Sequence, residues 1–309
     1  NQGDRRELFK VVLRPGEAGL TIARAINIIL DEEIRSSLVH AILAVESEDG
    51  RVAIARAILV LPIEFHYTQH NTHTTHEPAR NIIANVIVSV ATEDRVAVAK
   101  AITTHHASYG ATIARAFCFV DQENRRILAH EFTIVTTENA MTIARAIEEN
   151  GSQKDGTIIL RAIHQANASD KMTIAKAILS VQIQQRTGLA DVIIKLSPQN
   201  KASVAQAILD VDEINRRNLV WMFSRVTNGQ ALAIATAIKI ACQDGIGAIA
   251  KIILNASKKQ ALELISVFNK ANAADRRDLA WVLIKIPSSQ MPVIIERLYA
   301  NVGTLRELI

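Results

Sequence analysis

Cationic side chains recur at the middle of one short tract throughout this sequence. Arg24, Arg56 and Arg145 each occupy the centre of an Ile-Ala-Arg-Ala-Ile tract, and variants of the tract recur along the chain. Nine of its twenty centres are Lys or Arg: Lys10, Arg24, Arg56, Lys100, Arg115, Arg145, Arg161, Lys176 and Lys251. A regular ladder of cations could bind a polyanion, either a phosphate backbone or an acidic protein surface. The alternative is structural, because acids prefer helix N-termini and long basic side chains can then cover alanines at mid-helix.

Both tryptophans are also tract centres. Trp221 and Trp281 lie two repeats apart with Lys251 between them. Exposed tryptophans that flank a cation are typical of a protein-binding hot spot, or of a stacking platform for unpaired bases. It is equally open that each indole lies over its neighbours and seals a small core. This patch is the leading candidate for contact with a partner.

A group of histidines is the only candidate for metal binding. The repeat places five of them near one another: His70, His73, His76, His105 and His106. Imidazoles bind transition metals and titrate near neutral pH. No cysteine and no ordered set of carboxylates completes a standard metal site. The sequence therefore favours a polar helix face on which the histidines bind no metal, and we expect no cofactor.

Signatures of catalysis, secretion and membrane insertion are missing from the sequence. It contains no phosphate-binding glycine loop and no nucleophile elbow, so we expect a protein that is not an enzyme and has no small-molecule substrate. No apolar run approaches the roughly 18 residues of a membrane span. Cys118 and Cys242 lack metal-type spacing and suggest no disulfide framework, which favours a reducing compartment such as the cytoplasm or nucleus.

The tracts recur about every fifteen residues, and that spacing defines the elements that carry them. Fifteen residues accommodate a helix of three turns and a short connection, so two units form one helical hairpin. Two alternating series of centres follow. Layer A contains Arg24, Arg56, Asn85, Arg115, Arg145, Lys176, Gln206, Thr236, Ser266 and Glu296. Layer B contains Lys10, His40, His70, Lys100, His130, Arg161, Asp191, Trp221, Lys251 and Trp281.

The predicted fold is therefore all-α, an extended α-solenoid of about ten two-helix repeats of about thirty residues. Residues 1–309 form one continuous array, with an irregular or distorted repeat at 62–80 where Thr and Asn replace the aliphatics. In each helix the tract presents aliphatic side chains to the other layer and its centre to solvent. Because repeat-like segments reach both ends, we expect a piece of a longer array, or an array whose ends are disordered.

A second set of arginines lies at predicted helix starts. Its members are Arg95, Arg125, Arg186, Arg216 and Arg276. Positive charge is unfavourable at a helix N-terminus, so each guanidinium needs another partner. Because acids such as Asp94 and Glu123 lie nearby in the sequence, we expect salt bridges between repeats.

Over its whole length the pattern resembles HEAT and armadillo repeats in architecture. A narrower resemblance lies in Lys259-Gln260-Ala261-Leu262-Glu263 and Asn228-Gly229-Gln230-Ala231-Leu232, which are similar to the turn and helix start of TAL-effector DNA-binding repeats. In that family the Lys and Gln approach the DNA backbone, so the resemblance implicates Lys259 and Gln260. It covers two of the predicted repeats, and their period is nearer thirty than thirty-four.

Two functions follow as expectations. The first is a non-catalytic scaffold that binds another protein, centred on Trp221, Lys251 and Trp281. The alternative is binding of DNA or RNA through the basic centres, with the tryptophans stacking on bases if the strand is single. The sequence does not decide which layer is concave.

Overall fold

The computed structural model describes residues 17–60, 79–105, 107–224 and 290–300, with isolated positions elsewhere. The described part is helical and contains no strand. Its helices are α1 (Glu17–Asn27), α2 (Glu32–Leu43), α3 (Glu48–Leu59), α4 (Ala79–Ser89), α5 (Arg95–Thr104), α6 (Ala107–Cys118), α7 (Gln122–Thr133), α8 (Thr137–Glu148), α9 (Gln153–His164), α10 (Lys171–Ser180), α11 (Ile183–Lys195), α12 (Pro198–Asp210), α13 (Glu213–Phe223) and α14 (Met291–Ala300). A 3₁₀ turn, Thr92–Asp94, precedes α5. This confirms the all-α prediction.

The helices begin where the sequence supplies capping side chains. Asp31, Ser47, Asp121 and Thr136 precede α2, α3, α7 and α8, and each accepts a hydrogen bond from the backbone amide three residues later. These bonds satisfy amides that have no partner inside the helix. Connections are short, and Gly151 adopts φ 72° in the turn between α8 and α9. Left-handed backbone of this kind favours glycine.

The repeated tract forms the core. In α3, Ile54, Ala55, Ala57 and Ile58 are all fully buried, whereas the central Arg56 is exposed. The same burial pattern recurs in α8 around Arg145. Aliphatic side chains therefore fill the interior, and alanines allow neighbouring helices to approach closely.

Packing follows a next-but-one pattern in each of two compact units, Asn1–Leu160 and Arg161–Ile309. In the first unit, α1, α3, α5 and α7 pack in succession and form layer 1, while α2, α4, α6 and α8 form layer 2. In the second unit, α10 packs on α12 and α11 packs on α13. Among the described residues, no helix is both long and apolar enough to cross a membrane.

This packing corrects the predicted layers in the first unit. The sequence placed Arg56 and Asn85 together in layer A, but α3 packs against α5, so Arg56 shares a layer with Lys100. The prediction had counted the irregular stretch at 62–80 as one helix of layer B, centred on His70. That stretch lies outside the described residues except for its last two, which begin α4. Since α4 packs on α2, centres from Asn85 onward in this unit exchange layers.

In the described part of the chain, the helix-start arginines donate to backbone carbonyl oxygens, where the sequence predicted salt bridges; Arg276 lies outside the described residues. Arg125 donates from Nε to the carbonyl oxygens of Phe117, at 3.1 Å, and Val120, at 3.3 Å. Arg216 donates in the same way to Ile208 and Val211, at 3.2 and 3.1 Å. The end of the preceding helix has unsatisfied carbonyl groups and a negative dipole, so a guanidinium is a favourable partner there.

Three further arginines make the same kind of contact. Arg35, Arg51 and Arg186 donate to carbonyl oxygens at the end of the helix that precedes their own. Some contacts extend further: Arg216 Nη1 also donates to the carbonyl oxygen of Ser180 at 3.0 Å, at the end of α10. The arginines thus join the end of one helix to the start of the next. Ion pairs between stacked helices are made by other arginines: Arg126 lies 3.6 Å from Asp94, and Arg115 lies 2.7 Å from Glu148.

Gly156 permits another close contact in the first unit. A Cβ atom added there would overlap the carbonyl oxygen of Phe119 and lie 3.1 Å from the Ile147 side chain. Any larger residue would push the start of α9 away from the end of α6. Beside this joint, the fully buried Phe117 and Phe132 pack edge to face with ring centres 5.7 Å apart.

We predict that Arg216→Ala destabilises the second unit by about 2 to 3 kcal/mol, because three carbonyl groups lose a charged donor. Arg217→Ala is the matched control, since Arg217 is exposed and its loss should cost under about 0.5 kcal/mol. Urea denaturation measures the difference. Hydrogen exchange should also accelerate at the ends of α10 and α12 in Arg216→Ala alone, and equal protection in both variants would contradict the assignment.

Candidate functional site

Three of the predicted basic centres come together on layer 1. Arg24 on α1, Arg56 on α3 and Lys100 on α5 are exposed, and His130 on α7 continues the row. Because these helices pack in succession, neighbouring centres are about 8 to 10 Å apart. Arg24, Arg56 and Lys100 make no ion pair with any residue in the described part of the chain.

Layer 2 presents its cations differently. Arg115 on α6 does not point into solvent: its Nε is 2.7 Å from Glu148 Oε1 on α8, and the two side chains are 14% and 12% exposed. Arg145 on α8 pairs with Glu149 at 3.1 Å but remains 59% exposed. The prediction that the basic centres point into solvent therefore fails at Arg115, where a stacked helix supplies an acid.

The Arg115–Glu148 pair is largely desolvated. Burial raises the pKa of the Glu148 carboxyl above its ordinary value, and the charge of Glu149 raises it further. Arg115 opposes both effects through its charge and a hydrogen bond. Desolvation outweighs the attraction, so the pair fixes α6 against α8 without being a strong source of stability.

The remaining basic candidates belong to other parts of the chain. Arg161 on α9 and Lys176 on α10 are exposed, as predicted. Gln260 is a half-buried helical position, and Lys259 lies outside the described residues.

Trp221 is the most exposed aromatic side chain of the second unit's described residues, at 58%. It lies on α13, which packs against α11. A cavity of about 270 Å³ adjoins the end of this helix, lined by Asp191, Val192 and Lys195 of α11, by Leu196 directly after it, and by Phe223 and Ser224. Ser224 is one turn from Trp221 and donates a hydrogen bond to its carbonyl oxygen at 2.6 Å. The other two predicted members of this patch, Lys251 and Trp281, lie outside the described residues.

His105 has a structural environment. It is 4% exposed, its Nε2 is 2.8 Å from the carbonyl oxygen of Phe132, and its Nδ1 is 3.2 Å from Thr137 Oγ1. A neutral ring that donates from Nε2 and accepts at Nδ1 satisfies both atoms. His70, His73, His76 and His106 lie outside the described residues, and within the described part no group of three His, Cys, Asp or Glu could hold a metal ion.

Sequence reasoning missed an acidic row on layer 1. Glu17, Asp49, Glu93 and Glu123 are all exposed, and each precedes a basic-row centre by seven residues; Glu93 lies in the 3₁₀ turn that leads into α5. Seven residues are two helical turns, so acid and base lie on the same face about 10 Å apart. The spacing was visible in the sequence, but the common layer was not, because Lys100 and His130 had been assigned to the other one.

No family model, no curated protein and no solved structure matches this chain. What can be inferred about function therefore rests on the surfaces described above.

We predict that Arg115→Met makes stability more dependent on pH. Without the guanidinium, the pKa of Glu148 rises further above its unfolded value, so the folded protein binds the proton more tightly than the unfolded chain does. Stability is then retained below the unfolded pKa of about 4.3 and lost as the pH rises through the higher folded value. The loss at neutral pH should be about 2 to 3 kcal/mol.

Urea denaturation across this pH range measures the effect. The double variant Arg115→Met, Glu148→Gln is the control, since it has no carboxyl to titrate at position 148 and should lack the added slope. Parallel pH profiles for wild type and Arg115→Met would contradict the assigned role of the pair.

Proposed function

We propose that this chain is a non-catalytic helical-repeat scaffold whose helices form an α-solenoid of about ten two-helix repeats. The tract recurring every fifteen residues supports the repeat count. The next-but-one packing within each described unit supports the stacked arrangement. A binding role is preferred to catalysis because the sequence lacks the motifs of nucleophilic and phosphoryl-transfer enzymes.

We infer that the partner is another protein, and the exposure of Trp221 is the observation that carries this inference. An indole that is 58% exposed in the last turn of a helix is costly to leave in water unless a partner covers it. Tryptophan is enriched among interface anchors, which pack into or beside concave surfaces. The cavity between α11 and the end of α13 provides such a surface one turn away, with apolar Val192 and Leu196 beside charged Asp191 and Lys195.

We predict that Trp221→Ala weakens affinity for a partner isolated with the wild-type chain at least tenfold, because loss of an interface anchor costs about 2 kcal/mol or more. Biolayer interferometry on the immobilised chain measures the affinity. Ile183→Ala is the matched control, because Ile183 is 52% exposed on α11 of the same unit. It should change affinity less than about twofold.

Two readouts keep this test independent of folding. Both substitutions are at exposed positions, so both variants should have the same melting temperature as the wild-type chain, measured by circular dichroism. With Trp281→Phe, Trp221 is the one remaining indole, and its emission should shift to shorter wavelength when the partner binds. Wild-type affinity in Trp221→Ala would remove this residue from the binding site.

A second candidate is nucleic-acid binding, which Arg24, Arg56 and Lys100 favour because they are exposed and make no ion pair with any described residue. Each phosphate contact releases a counterion, so affinity would fall steeply with salt.

We predict for this function that single-stranded DNA binding weakens at least tenfold between about 50 and about 200 mM salt. In fluorescence anisotropy, Arg56→Ala should lower the slope of log K against log salt by about 1. A flat salt response would exclude this function.

A further inference from the structure

The exposed face of layer 1 has two parallel rows of opposite charge. The basic row is Arg24, Arg56, Lys100 and His130, and the acidic row is Glu17, Asp49, Glu93 and Glu123. Both rows cross the four helices in the same order. The rows lie about 10 Å apart, too far for an acid to pair with the base of its own helix.

The helices of this layer run in the same direction, which keeps the rows straight from helix to helix. Arg126 at the start of α7 pairs with Asp94 at the start of α5. A Cβ added to Gly50 in the first turn of α3 would lie 2.9 Å from Val96 in the first turn of α5. Helix starts therefore lie beside helix starts, with acids along that edge and bases two turns further on.

The strip between the two rows is mainly small or apolar. It contains Leu20 and Thr21 on α1, Val52 and Ala53 on α3, and Val96 and Ala97 on α5. Leu20 is 51% exposed. On α7 the strip contains Arg126, whose charge is already met by Asp94. An apolar centre bordered by charged edges is typical of a protein interface.

We propose that this face binds the same face of a second copy of the chain. A two-fold axis along the strip, midway between the rows, reverses the helices of the second copy. Each basic row then lies over the partner's acidic row, so that Arg24 faces Glu17, Arg56 faces Asp49 and Lys100 faces Glu93 across the interface. Such self-complementarity is what an isologous dimer requires.

The charge pattern favours this occupant over a nucleic acid. A polyanion on the basic row would lie about 10 Å from four acids, within the screening length of about 10 Å at 0.1 M salt. In the other layer, Arg115 and Arg145 already pair with acids of their own chain, whereas Arg24, Arg56 and Lys100 make no ion pair in the described part of the chain. A second copy matches both rows, while a polyanion matches one.

The interface should be weak and sensitive to salt. Four helices give a strip about 30 Å long and about 15 Å wide, smaller than a standard interface of about 800 Å² per partner. We predict micromolar dimerisation, with Kd rising at least tenfold between about 50 and about 500 mM salt. Sedimentation equilibrium of the full chain measures it, and a monomer at about 100 µM in low salt would overturn the proposal.

Charge exchange between two triple variants is the decisive experiment. The first carries Arg24→Glu, Arg56→Glu and Lys100→Glu, and the second carries Glu17→Lys, Asp49→Lys and Glu93→Lys. Each variant alone should raise Kd at least tenfold, because like charges then oppose one another. An equimolar mixture should restore a dimer, and native mass spectrometry should show that it contains one copy of each.

The controls separate this proposal from the Trp221 surface and from nucleic acid. Lys176→Glu with Arg217→Glu alters exposed charge in the second unit and should leave dimerisation unchanged, as should Trp221→Ala. The proposal would be overturned if the mixture of the two triple variants stays monomeric, or if either triple variant alone dimerises like the wild type. A wild-type chain that binds an oligothymidine strand at low salt but stays monomeric without it would also overturn the proposal. The Trp221→Ala test measures affinity for the protein partner, not dimerisation, so its result does not depend on any of these outcomes.

Discussion

The close approach of stacked helices, which the paired alanines permit, is the constraint on which the rest of this structure depends. In α3 and α8 the alanines on either side of the exposed centre are fully buried, together with the aliphatic residues beyond them. A larger side chain at either alanine would separate the helices and open the core. The same geometry forces the third residue of each tract, its centre, onto the surface. Core packing and surface chemistry are thus set by one short motif.

The helical elements and their buried faces could be predicted from the sequence, because they depend on local spacing and capping residues. The order of the layers could not, since it depends on how many packed helices precede a given one, and fifteen-residue counting failed across 62–80. The partners of Arg125 and Arg216 were mispredicted for a related reason. Backbone carbonyls at helix ends have no signature in sequence, whereas nearby acids such as Asp94 are conspicuous and led to an expectation of salt bridges.

The candidate surfaces show the same division between local and long-range information. Exposure of Trp221, Arg24 and Arg56 follows from their place in the tract, and the structure agrees. Arg115 occupies an identical place, yet it lies against Glu148 because α8 happens to carry an acid at the adjoining position. Whether a cation at the tract centre is exposed or paired is therefore decided by the helix stacked beside it. His105 likewise looked like a member of a polar cluster, but tertiary contacts with Phe132 and Thr137 hold it inside the protein.

The arginine contacts have an evolutionary consequence. Arg35, Arg51, Arg125, Arg186 and Arg216 each bind carbonyl oxygens only five to eight residues earlier in the chain. The joint between two helices is therefore encoded within a single stretch of sequence and needs no matching residue elsewhere. A duplicated or deleted segment would include both the arginine and the carbonyl groups that it binds. The gene could therefore gain or lose whole helices while the arginine contacts between the remaining consecutive helices are kept.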